Sequence, residues 1–294
     1  MNGVPDELVG RVAVVTGATS GIGYEIATGL ARLGGTVVVA GRGAERAAAA
    51  AESIGRTALS RHVESLESGD LSVRGEQHAL ADELLRRYPK IHVLVNNAGA
   101  IFARRERTQD GLERTFALNV LAPFVLTDRL AGRLRESGAG RVVNIASAAH
   151  RRQHVELSDL QTERSYSAWR AYGRSKLELI LLTREFARRF GADGPTVNSV
   201  HPGFVRSGFA QNNSGAFAAL VKVAGWIGGR SLVRGADTAV FVASDPSLAG
   251  VSGGYFSGRR LRPGSGASRD PTVAKELFER CASLASVRTP PTAP

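Results

Sequence analysis

RVAVVTGATSGIG, residues 11–23, runs from a β-branched, wholly apolar stretch straight into glycines at 17, 21 and 23. An apolar run closed by glycines and followed by a helical pattern reads as strand, tight turn, helix. Working outward, further short apolar runs lie at residues 36–40, 91–96, 141–147 and 196–201, with a weaker one before Asp70. Helical patterns separate them, at residues 21–33, 44–54, 73–88, 112–136, 166–190 and 235–244. This alternation indicates βαβ units and a parallel sheet. The runs are apolar throughout rather than alternating, as strands covered on both faces should be. The expectation is therefore an α/β chain, a single doubly wound parallel sheet of the Rossmann type with helices on both faces. Residues 1–10 read as an extension, 11–258 as the main domain, and 259–294 as a polar loop (RRLRPGSGASR), a short helix at 273–284 and a disordered end.

Composition narrows the partners. The net charge is +11, and only Lys90, Lys176, Lys222 and Lys275 are lysines, so 34 of the 38 basic residues are arginines. They are scattered along the sequence, with no basic stripe interleaved with aromatics, so no nucleic-acid partner is expected. A solvated surface accounts for most of the charge, and a phosphorylated cofactor remains a candidate anion. One cysteine, Cys281, excludes an internal disulfide and a cysteine metal cluster. No metal site is expected. No stretch approaches the roughly 18 apolar residues of a membrane span, and the nearest, residues 216–227, carries Lys222. A cytoplasmic protein is expected.

The glycine loop suits a dinucleotide, because its turn lets a pyrophosphate approach the free N–H groups at the helix start. Taken alone, a glycine triplet is also an ordinary loop. The second apolar run ends in Ala40-Gly41-Arg42, where a carboxylate would hold a ribose 2′-hydroxyl; an arginine instead matches a 2′-phosphate. NADP(H) is therefore favoured over NAD(H), although Arg42 could be one more surface arginine. Tyr172 and Lys176 lie four residues apart on one helix face. An ammonium near a phenol favours the phenolate, which makes the tyrosine usable as acid or base. Ser147, ending the run at 141–147, adds a hydroxyl; its plain alternative is a helix cap.

These motifs, TGATSGIG, NNAG, Asn119 in ALNV, Ser147, Tyr172-x-x-x-Lys176 and Pro202-Gly203, resemble in order and spacing those of the short-chain dehydrogenase/reductase family. RVVNIASAAH, DLQTERSY, AYGRSKLELILLTREFARR and VNSVHPGFV further resemble its retinol dehydrogenase and WW-domain oxidoreductase-like branch. The resemblance implies that Tyr172 is the general acid/base and that Ser147 orients the reacting oxygen. It implies that Lys176 binds the nicotinamide ribose and lowers the phenol pKa, and that Asn119 holds a relay water. For the dinucleotide it implies Gly17, Thr19, Ser20, Gly21, Ile22, Gly23, Arg42, Asp70, Leu71, Asn97, Ala98, Gly99, Tyr172, Lys176, Pro202, Gly203 and Val205. Asp70 and Leu71 would face the adenine. Ala146, Gly69 and Ser207 depart from the branch's usual residues without removing a catalytic group, and the stretch between Ser147 and Tyr172 is longer than usual.

Residues 204–234 correspond to the substrate lid of that family. Phe204, Phe209, Phe217, Leu220, Val223, Trp226 and Ile227 there could cover a bulky, lipophilic ketone, aldehyde or alcohol, or could simply pack a lid helix on the core. The expected function is NADP(H)-dependent interconversion of carbonyl and alcohol, leaning to reduction; a cofactor-binding sensor without turnover is the alternative. By resemblance, the helices at 112–136 and 166–190 could make homodimer or homotetramer contacts, while relatives with extended C-terminal tails include monomers.

Overall fold

Val12–Thr16 (β1) pairs in parallel with Thr36–Gly41 (β2) on one side and with Val93–Asn96 (β4) on the other. The chain is seen in a computed structural model that describes residues 7–203 and 231–286. Val63–Glu67 (β3), Arg141–Ile145 (β5), Thr196–His201 (β6), Tyr255–Ser257 (β7) and Arg260–Arg262 (β8) complete the sheet. Among the described residues its order is β3-β2-β1-β4-β5-β6-β7-β8, parallel except for the last pair. Growth of the sheet reverses between β1 and β4, so the helices after those strands diverge and leave a crevice at the strands' carboxyl ends, where open α/β sheets bind ligands.

The pleat divides the core. Val14, Val38, Leu94, Val142 and Val197 point to one face, while Ala13, Val15, Val37, Val39, Val93, Val95 and Val143 point to the other. Gly21–Arg32 (α1), Ala44–Ala58 (α2) and Leu232–Ser244 (α7) cover the second face through Ile26, Leu30, Ile54 and Ala239. Arg74–Arg87 (α3), Ala122–Glu136 (α5) and Ala168–Phe190 (α6) cover the first through Leu84, Leu130 and Leu181. Apolar strands thus follow from helices on both sides. Leu8 is fully buried and its N–H donates to the Leu33 carbonyl, so the last residues of the N-terminal extension dock beside α1.

Three expectations change. The helix expected over 112–136 is broken: a short turn, Arg114–Phe116 (α4), leads into a π turn, Ala117–Leu121, before α5. Asn119 sits in that π turn and bonds sideways to the Ala100 backbone, a tertiary tie that periodicity does not encode. The polar loop expected at 259–269 instead contains β8. Gly258 (φ 61°) and Arg259 (φ 57°) form a two-residue turn of the kind that closes hairpins. Arg259 tolerates its positive φ because its N–H donates to Thr238 and its guanidinium pairs with Asp237. Strands of only three residues leave no periodic signature. The helix expected from 166 begins at Ala168, and the Tyr166 hydroxyl instead donates to the Phe102 carbonyl at 2.7 Å.

Pro271–Ser286 (α8) packs along α6. Phe278 inserts between Phe124 of α5 and Phe186 of α6 with ring centroids 4.9 Å from each, and Cys281 is buried beside them. The α5/α6 surface to which the resemblance assigns subunit contacts is here covered by the chain's own last helix.

Candidate active site

The site grows from the glycine loop. Gly17 has φ 64°, and a Cβ on it would stand 2.9 Å from the Ala98 Cα, so only glycine lets β1 leave the sheet this close to the β4 loop. Asn97 donates its amide to the carbonyls of Thr16 (2.9 Å) and Gly17 (3.1 Å), and the Thr16 hydroxyl accepts from the N–H groups of Asn97 and Ala98, each at 3.1 Å. The Asn97 side-chain N–H groups are therefore used in shaping the loop. Thr16 is a structural partner that the sequence reading missed, because a threonine ending a strand carries no distinctive signal. Ser20 begins α1 without a side-chain cap, which leaves the helix's first N–H groups for an anion. Thr19 packs its methyl against Gly41, where a side chain would collide. Gly21, at φ 62°, and half-buried Ile22 continue the turn, and Gly23 lies directly against Gly17 and Asn97.

At the end of β2, Arg42 is exposed and has no hydrogen bond or ion pair among the described residues. A second arginine joins it: the Arg46 guanidinium lies 3.6 Å from the Cβ position of Gly43, on the same turn. Arg46 was missed, since surface arginines abound in this sequence. Asp70 accepts from the Ser72 N–H (3.0 Å) and hydroxyl (2.8 Å) and pairs with Arg114 at 3.1 Å. Burial pushes its carboxyl up, but the Ser72 bonds and the Arg114 and Arg42 cations outweigh this and hold it below the usual value. Leu71 is 3% exposed and packs in the core, so only its backbone can face an adenine.

Across the crevice, Ser147 follows β5 and Tyr172 follows one turn into α6. The Ser147 hydroxyl bonds to the Tyr172 phenol and also accepts from the Ala149 N–H at 3.2 Å, so it caps the 3-10 turn Ala148–Arg152 as well. Lys176 Nζ donates to the Ile145 carbonyl at 2.8 Å and lies 5.6 Å from the centre of the Tyr172 ring. A Cβ on Gly99 would stand 3.1 Å from Asn119 Oδ1 and 3.4 Å from Lys176 Nζ, so the three converge on one point. Asn119 accepts from the Ala100 N–H and donates to the Ala100 carbonyl and to Ser175, whose hydroxyl donates to the Tyr172 carbonyl. Ser175 is a further link the sequence did not single out. Beneath the site, Asn96 donates to Asn144 at 2.8 Å and Asn144 to Thr183 at 2.9 Å, tying β4, β5 and α6 together.

Burial governs the charges here. It pushes the Tyr172 phenol up to about 12, against a lowering bond from Ser147, and pushes Lys176 down to about 8. The direction for Tyr172 is opposite to the lowering expected from Lys176: in the protein alone, desolvation outweighs the bond from Ser147. Ile101, Ala149, Tyr166 and Ala168 give Tyr172 an apolar surround. Pro202 and Gly203 (φ 86°) line a cavity of about 380 Å³ with His201, Thr238 and Ser257. Val205 and the lid as far as residue 230 lie outside the described residues, as do the seven apolar lid side chains. Residues 231–234 already belong to the start of α7 and its cap. Among the described residues no cluster of metal-ligating side chains is present, and no helix is long and apolar enough to cross a membrane.

Sheet order, crevice and glycine turn together define a dinucleotide-binding α/β protein. The chain belongs to the short chain dehydrogenase family, which matches it over residues 11–216. It is similar to human retinol dehydrogenase 13 (32% identical, covering 96% of this chain and 86% of that one) and to human retinol dehydrogenase 11 (36%, 93% and 85%). It is also similar to human polyprenol dehydrogenase (34%, 94% and 86%). These relatives place it in the retinol dehydrogenase-like branch, as an oxidoreductase acting on CH–OH groups. Among solved structures, an uncharacterized protein from Mycobacterium paratuberculosis superposes with a TM-score of 0.75 at 29% identity, covering 96% of each chain. An NAD(P) dependent gluconate 5-dehydrogenase from Beutenbergia cavernae, with bound NADP, gives 0.67 at 29%, covering 86% of this chain and 97% of that one.

Proposed function

We propose that residues 11–258 form an NADP(H)-dependent carbonyl reductase that reduces a bulky, lipophilic ketone or aldehyde with Tyr172 as proton donor. The convergence of Ser147, Tyr172, Lys176 and Asn119 at the carboxyl edge of the sheet carries this reading.

The residues present fit a dinucleotide: the turn at Gly17 admits no side chain, and the start of α1 keeps unpaired N–H groups. Gly17, Thr19, Ser20, Gly21, Ile22 and Gly23 would hold the pyrophosphate, Arg42 and Arg46 a 2′-phosphate, and Asp70 with the Leu71 backbone the adenine. Ala98, Gly99, Lys176, Pro202, Gly203 and Val205 would flank the nicotinamide ribose and ring. Once bound, the nicotinamide supplies or accepts the hydride. Ser147 donates to the substrate oxygen and holds it beside the phenol. Tyr172, kept protonated by burial, gives its proton to that oxygen as the alcohol forms. Lys176 is mostly ammonium at neutral pH; it orients the ribose and favours the phenolate left behind, which eases reprotonation. Asn119, its side-chain amide committed to Ala100 and Ser175, would hold the water that completes the relay to solvent.

Lipophilic substrates suit the apolar surround of Tyr172 and the half-exposed Trp169 one turn before it. The names of the retinol and polyprenol relatives agree with that class. Association through the α5/α6 surface would require α8 to leave it.

Titration of the purified protein with NADPH and NADH, followed by turnover on steroid, retinoid and short-chain carbonyls, tests the proposal. Tighter NADPH binding, weakened about tenfold or more by Arg42→Ala, with turnover lost in Tyr172→Phe, is expected. Failure to bind either nucleotide would overturn it. Binding without turnover of any carbonyl would favour a sensor on the same fold.

A further inference from the structure

Arg184, in the second half of α6, buries its Nε with no hydrogen-bond partner. One terminal nitrogen reaches the Pro263 carbonyl, at 3.5 Å. Burial and the nearby charge of Arg269 both disfavour its cation. Arg184, Arg262 and Arg269 open into one cavity of about 510 Å³, walled by Leu261, Pro263 and Gly254. No carboxylate of the described residues lines it. Neighbouring acids are engaged elsewhere: Glu185 pairs with Arg188 and Arg189, and Asp270 accepts from the N–H groups of Thr272 and Val273. None of the three arginines has an ion pair among the described residues, and residues 204–230 contain no Asp or Glu.

A buried guanidinium edge without an acceptor is costly and calls for an explanation. Two more guanidiniums facing the same space add repulsion instead of relief. An oxyanion resolves both at once, since the planar fork of arginine binds phosphate through paired N–H groups. We propose that this cavity binds a phosphate group, with half-buried Arg184 as the anchor and exposed Arg262 and Arg269 beside it. It adjoins, through Arg262, the cavity at Pro202 and Gly203, but Arg184 and Arg269 stand outside the dinucleotide crevice. It lies at the amino end of β7, whereas the crevice lies at the strands' carboxyl ends, and Arg184 is about 18 Å along α6 from Tyr172. The phosphate could belong to a soluble ester or to a lipid headgroup, and exposed Leu261 beside Arg260 and Arg262 would suit the latter.

Calorimetric titration of the full chain with inorganic phosphate at constant ionic strength tests the site. Arg184→Gln and Arg269→Gln should each weaken binding at least tenfold, while Arg280→Gln, whose guanidinium is exposed and paired with Glu276, should not. Because Arg269 is exposed, its variant tests the proposal even if Arg184→Gln fails to fold. Without phosphate, Arg269→Gln should melt higher than the parent, as repulsion on Arg184 is relieved. Absence of phosphate binding, binding by both variants as tight as the parent's, or a lower melting temperature for Arg269→Gln would overturn the proposal. Pelleting with phosphatidic acid vesicles separates the two sources. Retention that is lost in Arg269→Gln and competed by free phosphate identifies a headgroup, and phosphate binding without retention identifies a soluble ester.

Discussion

Replacing Lys176 by methionine should stabilise the protein while disabling it. Burial lowers the Lys176 pKa from 10.5 to about 8. Below pH 8 both folded and unfolded chains carry the proton, so the folded state bears the whole cost of a buried charge. At about 1.4 kcal/mol per unit this is about 3 kcal/mol. Methionine keeps the apolar stem but leaves the Ile145 carbonyl without its donor, a loss of about 1 kcal/mol. The net gain at pH 7 is about 2 kcal/mol. With an unfolding entropy near 2.1 cal/mol/K per residue over 294 residues, that raises Tm by about 3 °C. Between pH 8 and 10.5 the unfolded chain holds more protons than the folded one, so wild-type stability rises with pH. The gap should vanish near pH 10. Thermal melts of both proteins at pH 7 and pH 10, without nucleotide, provide the measurement. A less stable variant at pH 7, or a gap unchanged at pH 10, would refute the claim that desolvation dominates at this site.

Gly23→Ala would drive a Cβ into the Asn97 amide and the Gly17 carbonyl, so a loss of about 1–3 kcal/mol and weakened nucleotide binding are expected in melts and titrations. Phe278→Ala would empty the space between Phe124 and Phe186, costing about 3–5 kcal/mol and loosening α8. Sedimentation would then show whether the uncovered α5/α6 surface self-associates. Gln161→Ala removes the side-chain oxygen that accepts from the Glu113 N–H at 2.6 Å and ties the 147–172 stretch to α4. If that stretch borders the substrate mouth, KM for large carbonyls should rise several-fold with nucleotide affinity unchanged, a split that steady-state kinetics would read.

Much of the fold was legible because its signals are local. A strand buried on both faces must be apolar along its length, and a turn as tight as that at Gly17 excludes other residues; both constraints act on neighbouring residues and leave marks in order. The same holds for Tyr172 and Lys176, which a helix places on one face at any four-residue spacing. The strand pair at 255–262 left no such mark, because three-residue strands are too short for periodicity and the turn holds an arginine secured by Thr238 and Asp237, twenty or so residues away. Asn119 was recognisable from its motif, but the π turn that presents it arises from bonds to Ala100 and Ser175, which adjoin it only after folding.

Charge shows the difference most plainly. The sequence alone determined that the chain is rich in arginine, apolar in its strands and equipped with a glycine turn and a Tyr-x-x-x-Lys pair. Tertiary structure alone decided which charges meet. It brought Arg184, Arg262 and Arg269 from a helix, a strand and a turn into one cavity, and it buried Tyr172 and Lys176 deeply enough that desolvation sets their protonation. Burial and convergence depend on residues far apart in the chain, and no spacing within a segment records them.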